Sequence, residues 1–382
     1  MKILYLTPFN IRDTIAQSGT VVNIKKALEE SGNDVITIDN LKVNRVLFVL
    51  FKVIERITGK KIDIMRTKLA LQSFHKQIES RKRGVDYDII FSSSSILLTY
   101  LKDRKPSVFY TDATFGGMLN YYWNVEEMNK KNVLQGMNAE KAALKNCTKA
   151  IFASQWAVDT AIQFHDADSR KCVAINRGAN IYHNFNKVDI LRYVNERAIC
   201  NQSKQEYRML FVGRDWIRKG GPLALQIVKE LSNKGYSSKL DVVGCQPNLS
   251  SADARFINVR GFLNKDIVEE NKKLQELYLT SDFYLQPSLR EAQGIAYAEA
   301  SAFGLPVIAV NTGGVSDIVT NRNGILFNST EEASCYVEKI IWLIENSEEY
   351  KNLSISTFKF YQEALNWNSV GKRITKLLEG VL

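Results

Sequence analysis

Apolar residues along this chain fall into two recurring textures. Short continuous runs, KILYLT, DVITID, YDIIFSS, SVFYT and KAIFAS in the first half and MLFV, LDVVG, FINVRGFL, SDFYLQ and VIAV in the second, lack the alternation of a half-exposed strand. They predict strands buried on both faces, as in parallel sheets. Between them, stretches such as VVNIKKALEESG and AEKAALKN predict helices. A strand with a helix behind it, repeated, predicts an α/β chain of doubly wound, Rossmann-like halves. The pattern lapses between 187 and 207, where the chain is polar, and restarts at RMLFV. This predicts an N-terminal domain at 1–195, a linker at 196–207 and a C-terminal domain from 208 to 365.

Length and composition fit that division. At 382 residues the chain exceeds one ordinary core and suits two. Hydrophobic residues at 45% and charged residues at 24% are ordinary for a globular protein. No apolar run approaches the roughly 20 residues of a membrane span. The opening MKILYLTPF, with only a short apolar run before Pro8, reads as a first strand and not as a secretion signal. Cysteines 147, 172, 200, 245 and 335 are scattered without paired spacing, which suits a reducing cytoplasm and supplies no metal motif.

Charge changes the picture in one place. Of the net +10, residues 42–83 carry +9, from twelve Lys and Arg against Glu55, Asp63 and Glu79. With VLFVLF at 46–51, this is the composition of an interfacial helix, which predicts an anionic membrane surface or an acidic, lipid-linked acceptor as partner. Ordinary amphipathic helices packed on the first sheet are the competing reading. Nucleic acid is not expected, because aliphatics and not stacking aromatics interleave the basic residues.

Candidate chemistry concentrates in residues 284–319, YLQPSLREAQGIAYAEASAFGLPVIAVNTGGVSDIV. The strand stops at Pro287-Ser288, Glu291 follows on a loop, Gly294 opens a helix containing Glu299, and Gly304-Leu305-Pro306 ends it. In parallel sheets ligands sit beyond the carboxyl ends of the strands, where that loop lies. Glutamates eight positions apart do not form a close pair. They suit two hydroxyl-bearing groups of one extended ligand, with the helix N-terminus at Gly294 offering N–H groups to an anion between them. A solvated helix glutamate and a first-turn acid are the plainer alternative. Upstream, Gly213, Arg214 and Lys219 follow the strand MLFV, and Gly220-Gly221-Pro222 starts a helix. Two cations at a strand's carboxyl end make an anion site.

The run from Pro287 to Val319 resembles the Glu-x7-Glu signature of the retaining glycosyltransferases of family 4. The match includes the Pro-Ser before Glu291, the Gly three residues after it, the Ala after Glu299 and Gly-x-Pro-Val. The resemblance implies a GT-B architecture, two Rossmann-like domains facing across a cleft, with a terminal helix at 366–382 beginning near Trp367 and crossing back to the N-terminal domain. It implies that the acceptor binds the first domain and a nucleotide diphosphate sugar the second. On that resemblance Arg214 and Lys219 hold the diphosphate, Glu291 the sugar and Glu299 the ribose. Gly213, Gly261, Phe262, Leu263, Ala292, Gln293, Gly294 and Ile295 complete the donor site. Trp216 either walls that pocket or packs. No metal or other cofactor is required.

In the first half, the loop after KILYLT reaches Ser18-Gly19-Thr20 before a helix, a candidate phosphate cradle carried by the single Gly19. Asp112, at the end of SVFYTD, stands near where the family commonly has a histidine; His75, His165 and His183 lie elsewhere. Asp112 therefore reads either as its replacement or as a cap on the following turn. The aromatic stretch at 115–128 reads as acceptor platform or as core. The expected activity is transfer of a hexose-type sugar, with retention, to a hydroxyl of a glycan or lipid-linked acceptor in cell-surface polysaccharide biosynthesis. The expected location is the cytoplasm, peripheral on the inner face of the membrane. A sugar-nucleotide epimerase of the same fold and a non-catalytic subunit binding a partner or glycan are the alternatives.

Overall fold

A computed structural model describes residues 1–13, 19–182, 185–200 and 204–382; Ser18 and His183 lie outside them. The chain divides into two compact units, Met1–Arg177 with Trp367–Leu382, and Gly178–Asn366.

In the first unit the elements run β1 (Lys2–Leu6), α1 (Thr20–Glu30), β2 (Asp34–Ile38), α2 (Arg45–Thr58), α3 (Lys68–Arg81), β3 (Ile89–Ser92), β4 (Ser107–Thr111), α4 (Phe115–Met118), α5 (Lys130–Asn146), β5 (Lys149–Phe152), α6 (Gln155–His165) and β6 (Cys172–Ala174). The second unit continues with α7 (Lys187–Cys200), β7 (Tyr207–Val212), α8 (Gly221–Asn233), β8 (Ser238–Val243), α9 (Ser251–Ala254), β9 (Ile257–Gly261), α10 (Val268–Thr280), β10 (Phe283–Gln286), α11 (Ile295–Ala302), β11 (Val307–Val310), α12 (Val315–Ile318), β12 (Gly324–Phe327), α13 (Ala333–Glu345) and α14 (Ser347–Phe360). A last helix, α15 (Trp367–Glu379), belongs to the first unit.

Each unit is built on a six-stranded sheet, ordered β2-β1-β3-β4-β5-β6 and β12-β11-β10-β7-β8-β9, and every strand pair is parallel. The continuous apolar runs are explained by layers on both faces. Ile3 and Tyr5 pack with Val21 and Ile24 of α1 and with Val370 and Ile374 of α15, while Leu4 and Leu6 pack on the opposite side with Phe74, Ala143 and Ala157. In the second unit Leu210 and Tyr284 face the α11 side, whereas Met209, Phe211 and Phe283 face α8 and α13. Close approach of α1 and α15 places Asn33 Nδ2 as donor to Thr375 Oγ1 at 2.8 Å.

The segment read as a linker at 196–207 is corrected. The chain passes between units at Arg177–Gly178 and again at Asn366–Trp367. Residues 187–200 form α7, which buries Ile190, Val194 and Ala198 in the second unit. Its polarity misleads because Arg197, 5% exposed, donates to the Phe303 and Gly304 carbonyls at 3.0 and 2.8 Å, satisfying the end of α11. Of the expected linker, residues 201–203 lie outside the described residues. GILF at 324–327, not predicted as a strand, forms the edge strand β12.

The basic segment 42–83 splits in behaviour. Helix α3 packs as an ordinary amphipathic helix, burying Ala70, Leu71, Phe74 and Ile78. Helix α2 buries none of its 14 residues. Val46 and Ile57 are 75% and 79% exposed, and Phe48, Val49, Leu50 and Val53 are exposed as well.

Candidate active site

In the second unit, the carboxyl ends of β7 and β10 lie side by side because the strands pair directly. After β7, a tight loop forms as the Lys219 N–H donates to the Asp215 carbonyl at 3.1 Å and the Gly220 N–H to that of Ile217 at 3.0 Å. Gly220 has φ +78°, and a Cβ there would sit 1.8 Å from the Pro287 carbonyl oxygen, so only glycine lets this loop press on the end of β10. The contact is tied by Leu289 N–H to the Arg218 carbonyl at 2.9 Å and by Arg218 Nη1 to the Arg290 carbonyl at 3.0 Å.

The consequence is an ion pair between Lys219 Nζ and Glu291 Oε2, with Arg218 Nη1 3.6 Å from the same oxygen. Both members of the pair are largely buried, with side-chain exposures of 12% and 10%. Glu291 stands just before the N-terminus of α11, where Gly294 adopts φ +83°; a Cβ on Gly294 would collide with the Tyr297 ring at 2.4 Å. Ala292 and Gln293 are buried, and the Gln293 amide nitrogen has no hydrogen-bond partner among the described residues. Ile295 is half-buried in the first turn of α11. The Gly314 N–H, on the loop after β11, donates to the Glu291 carbonyl at 3.1 Å.

Glu299 lies inside α11 and is 1% exposed. Its Oε1 is ion-paired with Lys265, and its Oε2 accepts from Tyr278 Oη at 3.1 Å. Burial, reinforced by the Glu299 charge, pushes the Tyr278 phenol well above its ordinary value, so it remains a donor. Arg214, exposed, lies over the Phe262 ring with its guanidinium carbon 5.0 Å from the centroid. Gly213 and Gly261 are fastened to β8 and its following turn: the Gly213 N–H donates to the Val243 carbonyl at 2.9 Å and the Gly244 N–H to the Gly261 carbonyl at 2.8 Å. Leu263 packs against the core on the α11 side. Trp216 is a packing residue, 5.3 Å from the Phe211 ring and stacked close on Gly221.

Thus the second unit gathers Gly213, Arg214, Lys219, Gly261–Leu263, Glu291–Ile295 and Glu299 at the carboxyl ends of its strands. Direct contact joins Lys219 to Glu291; Arg214 meets Phe262, and Glu299 meets Lys265. Arg218, Lys265 and Tyr278 were not singled out from the sequence. Arg218 carried a signal, as the neighbour of Lys219 in a strand-end loop, but the pairing of Lys265 with a residue 34 positions away carried none.

Two candidates lie in the first unit. Gly19 is the N-cap of α1 at φ +87° with no side-chain cap bond, and α1 follows β1, whose neighbours β2 and β3 flank it in the sheet. Asp112 does not cap the next turn: Thr114 does, accepting from the Gly117 N–H at 3.0 Å. Asp112 pairs instead with Arg177 at 3.1 Å, a nearly buried cation that also lies over the Tyr110 ring. In the aromatic stretch, Phe115 is core and carries Arg66 over its face, and Tyr121 packs on Trp156 at 4.8 Å. Among the described residues no helix is long and apolar enough to cross a membrane, and no group of three or more His, Cys, Asp or Glu is placed to hold a metal ion.

Residues 195–360 match the family model described as Glycosyl transferases group 1. The chain is 25% identical over 373 residues to alpha-monoglucosyldiacylglycerol synthase of Acholeplasma laidlawii, covering 90% of this chain and 89% of that protein. In fold it resembles sucrose-phosphate synthase from Thermosynechococcus elongatus, with TM-score 0.66 and 16% identity across 100% of this chain and 99% of that one. It also resembles Anabaena HepE, crystallised with UDP-glucose, with TM-score 0.61 and 15% identity across the whole of both chains. Two parallel six-stranded α/β units, matched over the whole chain by these structures, give the chain the GT-B fold, and it is residues 195–360, within the second unit, that match the group 1 glycosyl transferases.

Proposed function

We propose that the chain is a retaining, family 4 type glycosyltransferase that moves a hexose-type sugar from a nucleotide diphosphate sugar to a hydroxyl of a glycan or lipid-linked acceptor. The observation that carries this reading is the Lys219–Glu291 pair at the N-terminus of α11, held there by the Gly220 turn against Pro287. Transfer is difficult because negative charge builds on the departing diphosphate. Arg214, Lys219 and the positive dipole end of α11 meet that charge with groups already in position. Glu291 accepts hydrogen bonds from sugar hydroxyls and Glu299 from the ribose, so each acts by positioning. When the donor arrives, the diphosphate takes over Lys219 and sugar hydroxyls take its place on Glu291. The complex of HepE with UDP-glucose and the lipid product named for the Acholeplasma relative support a nucleotide-sugar donor and a glycolipid or polysaccharide pathway.

The partner side of the reading rests on α2. A helix of 14 residues with no buried side chain, an apolar face from Val46 to Ile57, and Arg45, Lys52 and Arg56 beside that face is suited to lie in the plane of an anionic membrane.

A thermal-shift panel of nucleotide sugars tests the donor assignment, since a ligand bound only by the folded chain raises Tm. The sugar that stabilises is then offered with glycan and lipid acceptors, and the anomeric configuration of the product is read by NMR. An inverted product would overturn retention, and stabilisation by none of the sugars would overturn the donor site.

A further inference from the structure

The reading of Glu299 as the ribose ligand meets an obstacle in the fold. Its side chain is 1% exposed, and both carboxylate oxygens already have partners. Tyr278, on Oε2, is fully buried; Lys265, on Oε1, is 31% exposed. Anything reaching Glu299 from solvent therefore meets Lys265 first. Lys265 is also placed with care. It lies between β9 and α10, two residues after Leu263, in a loop pinned by the Asn264 N–H to Glu270 Oε2 at 2.6 Å and by the Ile267 N–H to the Asn264 carbonyl at 3.1 Å.

Resting on the donor-site reading above, we infer that Lys265 is a positioning residue for the ribose. It pairs with the Glu299 carboxylate and orients it in a nearly dry setting, where a carboxylate without a partner is costly. It also sets an ammonium donor beside a carboxylate acceptor. A ribose hydroxyl both donates and accepts, so the Lys265–Glu299 pair matches it in both capacities, whereas a solitary glutamate matches only the donated proton. A charge-assisted pair of this kind discriminates against a sugar lacking the hydroxyl, because the pair is then left without its partner. Tyr278 holds the other carboxylate oxygen from the buried side, so the group does not swing when Lys265 turns to the ligand.

The test compares UDP, GDP and ADP with dUDP, dGDP and dADP by calorimetry on the full chain at fixed salt. The wild type is expected to prefer the ribo form of the nucleotide it binds by about tenfold or more. Lys265→Met should reduce that preference to within about twofold while holding the deoxy affinity within a few-fold, and Lys265→Arg should restore part of it. A merely structural lysine would lower ribo and deoxy affinities together and leave the ratio unchanged, which would overturn the assignment. Where Lys265→Met alone does not fold, Lys265→Met/Glu299→Gln removes the uncompensated charge as well, and it too should lose the preference; a retained preference there would count equally against it. If none of the three ribonucleotides binds the wild type, the donor-site reading itself is what fails, and the role of Lys265 falls with it.

Discussion

Lys219 and Glu291 are 72 positions apart in sequence and ion-paired in the fold. The two loops that carry them are pressed together at Gly220 and Pro287, so the pair is a property of the backbone as much as of the side chains. Removing one member leaves the other largely buried with its charge poorly compensated. Lys219→Ala is expected to lower turnover by about 10²–10³-fold and stability by about 2 kcal/mol. Lys219→Ala/Glu291→Gln should destabilise by less than the sum of the single changes, measured by denaturant unfolding. Additive losses would show that the pair does not couple.

Arg214 presents the opposite case. It is exposed, and its contact is with the Phe262 ring, so Arg214→Ala should change stability by no more than about 1 kcal/mol. Initial rates should nevertheless fall by tenfold or more, as expected of a group facing developing charge. Wild-type rates in this variant would remove Arg214 from the donor site.

Gly220→Ala asks for a Cβ where the Pro287 carbonyl oxygen lies 1.8 Å away, at a φ of +78°. A loss on the order of 3 kcal/mol or more is expected. If the variant folds, the two loops part and activity falls with them. Gly235→Ala is the control, since at φ +94° it has nothing within 4 Å of the added carbon and should cost only the backbone strain. Melting curves of the two variants decide the comparison.

His165 gives a pH dependence whose sign follows from its setting. Burial holds its imidazole below the ordinary value of 6.5, against the opposing pull of Glu140, and its Nε2 accepts from the Gly116 N–H at 3.0 Å. The folded chain therefore keeps His165 neutral while the unfolded chain protonates it. Stability from this group is complete above about pH 6.5 and is lost as pH falls from there through the depressed folded value. Unfolding free energies measured across that window should slope upward with pH in the wild type and flatten in His165→Gln.

On α2, Val49→Asp/Val53→Asp should weaken co-sedimentation with vesicles rich in anionic lipid by tenfold or more. Stability should stay within about 1 kcal/mol, because neither side chain is buried. Equal binding by the double variant would show that the membrane surface is not its partner.

Much of the fold was readable because both-face burial leaves uninterrupted apolar runs, and ten of these become strands. Where burial was partial or paired, the signal failed. β12 is short, begins on a glycine and is half-buried in the middle, so GILF carried little of the pattern. α7 hides Ile190 and Val194 among Asp189, Arg192 and Glu196, and its Arg197 is buried by carbonyl partners that lie in distant segments. At the site, residue types and strand-end positions pointed to Arg214, Lys219, Glu291 and Glu299. What those positions did not encode was which cation answers which carboxylate, since that depends on the crossing of loops. The assignment of Lys265 to Glu299 came only with three dimensions.

The return of α15 to the first unit has a bearing on how the chain is made. Val370, Ile374 and Leu378 lie in one apolar layer with Tyr5, Val21 and Leu28, so residues made before the second unit wait for residues made after it before that layer closes. The second unit, whose residues are all contained between, can mature first. A premature stop shortly before Trp367 would thus spare the later-synthesised unit and cripple the earlier one.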